Sequence, residues 1–136
     1  AAAACNTLKF RVFSARGLRH KAKAYLRINA ASGNASTTPG AEATEPNFAA
    51  SFLAPAPSPS SSVVVSVFQK SMFRDRFVGA IALTADQFAG AQPRRQWYSL
   101  GDRDGVEGDG TRGEIEVMAA WEASMSPVGA PVPFDP

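Results

Sequence analysis

No internal disulfide can form, because Cys5 is the only cysteine, and with a single histidine, His20, an ordinary His/Cys zinc site is excluded. No apolar run approaches the roughly 18–20 residues that a membrane helix requires. The start, Ala1–Ala4, has no basic segment followed by a long apolar one, which reads against a signal peptide. Phosphate-binding glycine loops and nucleophile elbows are missing too, so the common nucleotide-hydrolysing and serine-hydrolase chemistries have no signature. A Cys5–His20 catalytic pair is set aside because the thiol lies in a terminus expected to fray. These absences lead to a cytoplasmic, non-enzymatic domain without a cofactor as the expectation, including a place at the periphery of a membrane or cytoskeletal structure.

What is present is enough for one core: 136 residues, 45% of them hydrophobic, with a formal net charge of only +2. That small total hides an uneven distribution. The first thirty residues hold Lys9, Arg11, Arg16, Arg19, Lys21, Lys23 and Arg27 with no acid among them. Residues 101–122 hold Asp102, Asp104, Glu107, Asp109, Glu114, Glu116 and Glu122 against Arg103 and Arg112. Two readings stand: complementary packing of two solvated strand faces, or a basic surface for an anionic partner.

Alternation organises most of the chain. Leu8, Phe10 and Val12 face one way and Lys9 and Arg11 the other, as in a half-buried strand. Leu26, Ile28 and Ala30 repeat the pattern with Tyr25, Arg27 and Asn29 opposite. A short edge strand is expected around Ala35–Thr38 and a longer one over Phe48–Leu53. The segment Ala54–Ser62, APAPSPSSS, predicts a loop, since repeated prolines do not suit a central ladder. Val63 to Gly79 reads as a strand, a short polar loop and the start of a second strand, which continues to Leu83. Thr84 with Gln87 forms a capping box that predicts about one helical turn over Thr84–Ala89. Gln96–Leu100 is extended, residues 101–110 form an acidic turn, and Glu114–Trp121 is the last strand, with Ile115 and Val117 inward. Residues 124–136 read as a Pro-rich tail or linker, with the alternative that they lie along a sheet edge, and residues 1–5 as an N-terminal extension to a domain over 6–123. Seven strands are clearly readable and eight are expected, which with almost no helix predicts an all-β, antiparallel sandwich.

The order of these motifs resembles a C2 domain. LKFRVFSARGL (Leu8–Leu18) is similar to the family's first strand and the start of its first apical loop. AYLRI (Ala24–Ile28) and TEPNFAASF (Thr44–Phe52) resemble the next segments, the latter keeping Pro46, an aromatic at Phe48, and Phe52. VVVSVFQ and FVGAIAL resemble the strands flanking the third apical loop and include the characteristic Gly79. QWYSL and RGEIEVMAAW are similar to the closing segments. The resemblance spans Asn6–Trp121 and implies an eight-stranded Greek-key β-sandwich, the strands being joined by loops gathered at one end.

It also implies a calcium site built from aspartates on the first and third loops, and here the matching places hold Lys23, Gln69, Ser71 and Arg76. Calcium requires six to eight oxygen ligands, and cationic side chains repel it, so calcium independence and no metal site are the expectation. Asp75 is the one carboxylate of loop three and is expected to pair with Arg74 or Arg76. The same loops offer a different surface: Arg16, Arg19, His20, Lys21 and Lys23 from loop one, and Lys70, Arg74 and Arg76 around Met72 and Phe73 from loop three. Each well-placed cation contributes about 1 kcal/mol to binding an anionic bilayer, and burying Phe73 roughly 1.5–3 kcal/mol. Glu42 and Glu45 of loop two would weaken that attraction.

Two functions follow as expectations. One is a protein-interaction or scaffold module of a larger intracellular protein, with a sheet edge able to pair with a peptide or a second copy. The alternative is a calcium-independent tether to anionic phospholipid through the basic apical loops. Nucleic acid is not an expected partner, although Lys9, Arg11, Tyr25 and Arg27 come near the required interleaving of cations and aromatics. Glu114 and Glu116 share a strand face and read as solvated rather than catalytic. Trp97 and Trp121 read as core packing, with ligand stacking as the second reading.

Overall fold

The computed structural model describes residues 6–31, 33–90, 92–104, 108, 110–123 and 132–133. Its strands are β1 (Asn6–Arg16), β2 (Ala22–Ala30), β3 (Gly33–Ser36), β4 (Glu42–Ala43), β5 (Asn47–Pro55), β6 (Ser62–Gln69), β7 (Arg76–Thr84), β8 (Gln96–Ser99), β9 (Glu114–Ala123) and β10 (Val132–Pro133). They form two antiparallel sheets, ordered β10-β5-β1-β9-β8 and β3-β2-β6-β7, with β4 alongside β2. The expected β-sandwich is thus present. Among the described residues eight strands have four or more residues, and the two-residue pieces β4 and β10 are additions.

The alternating residues meet between the sheets. Leu8, Phe10 and Val12 of β1 and Ile115 and Val117 of β9 face Leu26 and Ile28 of β2 and Val63, Val65 and Val67 of β6, all fully or almost fully buried. Phe10 and Phe52, directly opposite on β1 and β5, stack with centroids 5.6 Å apart. Such cross-strand aromatic pairs fix register, because a slip of one residue would turn the apolar set outward.

Several boundaries differ from the sequence reading for local reasons. The edge strand is Gly33–Ser36 rather than Ala35–Thr38, although Thr37 continues the pairing through its N–H and hydroxyl to Leu26. Proline ends β5 instead of preventing it: Pro55 stands opposite Thr7, at the last position of the strand, where a missing N–H costs least. The predicted turn is a 3₁₀ helix over Ala85–Phe88, with the Thr84 N–H donating to Gln87 Oε1 at 3.1 Å. Residues 132–133 lie along β5, opposite Leu53 and Phe52, which fits the edge alternative for that part of the tail. Residues 1–5, with Cys5, and 124–131 lie outside the described residues.

Connections between β1 and β2, β6 and β7, and β8 and β9 all emerge at one end of the sandwich: Arg16 and Ser99 both pair with Glu114, Gln69 pairs with Arg76, and Gln69 reaches the His20 carbonyl across the two sheets. Two glycines draw these loops together. Gly79 lets β7 approach the start of the β8–β9 loop, where a Cβ would lie 2.6 Å from Leu100 Cβ. Ala80 and Gly101 then exchange backbone hydrogen bonds of 3.1 and 2.8 Å. Gly113, at φ 98°, passes under loop one, where a Cβ would lie 2.7 Å from the Arg16 carbonyl oxygen.

Candidate functional site: the apical loops

Loop three, residues 70–75, ends in an apolar tip. Its Met72 and Phe73 are 89% and 95% exposed, the two large hydrophobic side chains most open to solvent among the described residues. Such an exposed apolar pair has no folding role. The loop is held from below. Asp75 accepts a hydrogen bond from the Tyr25 hydroxyl at 2.5 Å, accepts another from the Ser71 N–H at 3.4 Å, and ion-pairs with Lys70 at 3.7 Å. The Tyr25 hydrogen bond, with help from the Ser71 N–H and Lys70, holds the Asp75 carboxyl below its ordinary value. Burial, followed by the bond to Asp75, raises the Tyr25 phenol.

This arrangement corrects the expected partners of Asp75, which are Tyr25 and Lys70 and not Arg74 or Arg76. Tyr25 lies on β2's outer face, as the alternation requires, but it is buried there under Phe68, with centroids 5.6 Å apart, and Phe68 in turn meets Phe77 edge-on. Arg27 covers Phe68 at 4.5 Å.

Gln69 joins the loops. It is 3% exposed, and its Nε2 donates to the His20 carbonyl at 2.7 Å, tying the end of β6 to loop one. Gln69, Ser71 and Arg76, three of the places that the resemblance assigned to calcium-ligating residues, line one hollow of about 260 Å³ together with His20, Lys21 and Lys70. The donor set is wrong for calcium: an amide with its N–H₂ engaged toward a carbonyl, a hydroxyl, two ammonium groups and a guanidinium offer few oxygens and several positive charges. Among the described residues no group of three or more His, Cys, Asp or Glu stands close enough to hold a metal ion. Glu107 and Asp109 of the acidic turn lie outside the described residues.

Two of the expected loop cations are elsewhere. Arg16 ends β1, where a bulge between Val12 and Ser14 turns it to the outer face of its sheet; there it ion-pairs with Glu114 at 3.0 Å and lies 3.8 Å over the Trp97 ring. Lys23 belongs to β2, opposite Glu42 of β4, and does not line the hollow. The loops retain Arg19, His20 and Lys21 on one side and Lys70, Arg74 and Arg76 on the other. Lys70 is committed to Asp75.

Trp97, under Arg16, is therefore not core packing, whereas Trp121 packs partly against the core and donates from Nε1 to the Ala56 carbonyl at 2.8 Å. Glu116 is paired like Glu114, with Arg95 at 2.8 Å. Sequence reasoning missed the contributions of Arg103 and Arg112, which sit 4.4 and 5.9 Å from the Phe77 ring. Their positions depend on Gly79 and the Gly101 bridge, and only the family-characteristic Gly79 hinted at that approach.

Two antiparallel sheets packed face to face, with loops gathered at one end, define a β-sandwich domain. The chain belongs to the C2 domain family, whose model matches residues 6–100. C2 domains are binding modules for phospholipid membranes or protein partners. Beyond the matched range, β9 completes the first sheet between β1 and β8.

Solved structures share the fold at low sequence identity. The C2A domain of a plant Extended Synaptotagmin 1 is 17% identical, with a TM-score of 0.74, covering 90% of this chain and 98% of that one. Human GIVD cytosolic phospholipase A2 is 16% identical, with a TM-score of 0.69, over 91% of this chain but only 18% of its own. The SMP–C2A–C2B structure of Extended-Synaptotagmin 2 is 14% identical at a TM-score of 0.71, over 90% of this chain and 28% of that one. No curated protein matches the sequence.

Proposed function

We propose that this C2 domain is a calcium-independent peripheral tether that sets the tip of loop three into an anionic lipid surface. The observation that carries the reading is the exposure of Met72 and Phe73, 89% and 95%, on a loop with Lys70, Arg74 and Arg76 around them. An apolar tip ringed by cations suits the boundary between headgroups and acyl chains, where the ring and thioether leave water while the charges stay at phosphate depth. Transfer of Phe73 contributes roughly 1.5–3 kcal/mol, and Arg19, Lys21, Arg74 and Arg76 about 1 kcal/mol each when near the surface. No ion is required, because the protein's own fixed charges take the place of a bridging metal. No enzymatic step belongs to this reading.

The test is sedimentation with vesicles of phosphatidylserine and phosphatidylcholine, or phosphatidylcholine alone, in a calcium chelator. Binding to the anionic vesicles alone is expected, weakening steeply with salt and on the double substitution Met72→Ser/Phe73→Ser. If no binding occurs at low salt in chelator, the tether reading fails. The second reading, a scaffold module within a larger chain, rests on β3, which lies at the edge of its sheet with one side of its backbone unpaired by any other described strand. Such an edge can add a partner's strand or that of a second copy. Protein binding that persists in the tip variant and is lost on Ala35→Pro would favour it.

A further inference from the structure

A second surface lies on the side of the sandwich. β8 ends its sheet, and no other described strand pairs with its outer edge. The Leu100 N–H donates to the Gly113 carbonyl at 2.9 Å, and antiparallel bonding alternates along a strand. Tyr98 and Gln96 therefore bond to β9, and the backbone N–H and C=O of Trp97 turn to the open edge. The outward carbonyl of Ser99 already accepts the Gly108 N–H at 3.3 Å. Gln96 and Tyr98 stand opposite the buried Val117 and Ile115, so their side chains lie on the inner face of the sheet. There a cleft of about 450 Å³ opens beside the 3₁₀ turn, with Phe88, Tyr98 and Ala119 as apolar walls. Arg94, Gln92 and Gln96 line it as well, and no carboxylate of the described residues does. Arg94 is exposed and takes part in none of the ion pairs among the described residues. Burial raises the Tyr98 phenol and the Arg94 charge opposes that rise, as a guanidinium near the hydroxyl does.

We propose that β8 and this cleft form a docking site for an extended acidic segment of a partner protein. The segment's backbone adds to the sheet beside Trp97, one of its apolar side chains enters the cleft, and an Asp or Glu meets Arg94. Each part answers an observation. An open strand edge offers main-chain hydrogen bonds to any extended chain. Side chains of an added strand alternate, so every second one falls on the cleft side. A concavity with aromatic walls selects an apolar group, while the amides and guanidinium at its margin fix orientation. The sign of charge is set by Arg94 alone. On the outer face, Arg16 and Arg95 are already paired with Glu114 and Glu116 and express no preference. A basic segment would meet Arg94 with nothing in the lining to offset the repulsion. The site uses neither the Met72–Phe73 tip nor β3, and so stands apart from both readings of function.

Selection of random dodecapeptides displayed on phage against the immobilised full chain tests the proposal, followed by fluorescence anisotropy of an enriched peptide. Enriched sequences are expected to carry Asp or Glu within about three residues of an aromatic or branched aliphatic residue. Arg94→Glu should weaken binding about fivefold or more, and should bind the peptide better once its acids are replaced by Lys. The exposed position of Arg94 leaves folding intact, which thermal unfolding checks. N-methylation of the peptide backbone at alternate positions should weaken binding at least about threefold in one phase and little in the other, as strand addition requires. Met72→Ser/Phe73→Ser and Ala35→Pro should leave the affinity unchanged. No enrichment, enriched peptides without an acid, an affinity indifferent to Arg94→Glu, or N-methylation without such a phase overturns the proposal. Loss of binding in the tip variant or in Ala35→Pro, with the chain still folded, places the peptide elsewhere and overturns it too.

Discussion

The outer face of the first sheet and the loop end treat the same kind of residue in opposite ways. On the sheet, cations are matched: Arg16 with Glu114 and Trp97, Arg95 with Glu116 and the Phe13 ring at 3.8 Å, and Arg11 with Ser51 and Phe13. At the loops, Arg19, Lys21, Arg74 and Arg76 have no anionic partner among the described residues, and two large apolar side chains stand in water. The basic start and acidic end of the chain thus meet in the Arg16–Glu114 pair where β1 runs beside β9 and remain unequal where the chain leaves the sheet. Paired charges on adjacent strands serve the fold. Unpaired charges next to an exposed apolar tip are available to a ligand.

The most severe way to break this contrast is to disturb the backbone approach on which the loop end depends. Gly113→Ala combines a left-handed φ with a Cβ 2.7 Å from the Arg16 carbonyl oxygen, and a loss of about 3 kcal/mol is expected in urea unfolding. A loss below about 0.5 kcal/mol would mean that the loops are not drawn together there.

Gln69→Glu comes next. It replaces an amide donor by a carboxylate facing the His20 carbonyl in a buried position, with about 2 kcal/mol lost near neutral pH. Because burial and that carbonyl disfavour the charged form, the deficit should shrink as the pH falls and the introduced carboxylate takes up a proton. Calcium that restored the variant's stability would show that the hollow retains metal affinity after all.

Breaking the paired face should matter less. Arg16→Ala is expected to cost no more than about 1 kcal/mol, since the ion pair is largely exposed and the contact with Trp97 adds modestly, and to leave vesicle binding unaffected. The tip substitutions should behave in the reverse manner, changing stability by less than about 0.5 kcal/mol while removing vesicle binding. If both variants lose binding equally, the distinction between the two regions collapses.

The smallest effect concerns pH. Asp75 has a lowered carboxyl, chiefly because of the Tyr25 hydroxyl. Its contribution is therefore complete above the ordinary value of 3.8 and is lost as the pH falls through the lowered folded value. Thermal unfolding from about pH 6 downward should show a smaller acid-side decline in Tyr25→Phe than in the unsubstituted chain.

Much of this could be read along the chain because it depends on local periodicity. Leu8, Phe10 and Val12, or Val63, Val65 and Val67, reveal strands and core together, since a pleated strand alternates its faces and water sorts them. That Gln69, Ser71 and Arg76, none of them a carboxylate, stand around the base of loop three is equally legible along the chain. Arg16 escapes a reading by alternation because the bulge at Phe13 changes the pattern by one residue, and a bulge leaves no mark in periodicity. Lys23 escapes it because β2 begins at Ala22, two residues before Ala24, and strand ends are set by pairing with β4 and β6.

By itself, then, the sequence determined the class of fold and the inward-facing residues, because each depends on residue type and near neighbours. The tertiary structure alone decided which cations are neutralised, that Tyr25 and Lys70 hold Asp75, that Met72 and Phe73 face outward, and that Phe88 and Arg94 meet Ala119 at one cleft. Those outcomes depend on contacts between segments far apart in the chain, arranged by strand register and by the close approaches that Gly79 and Gly113 permit.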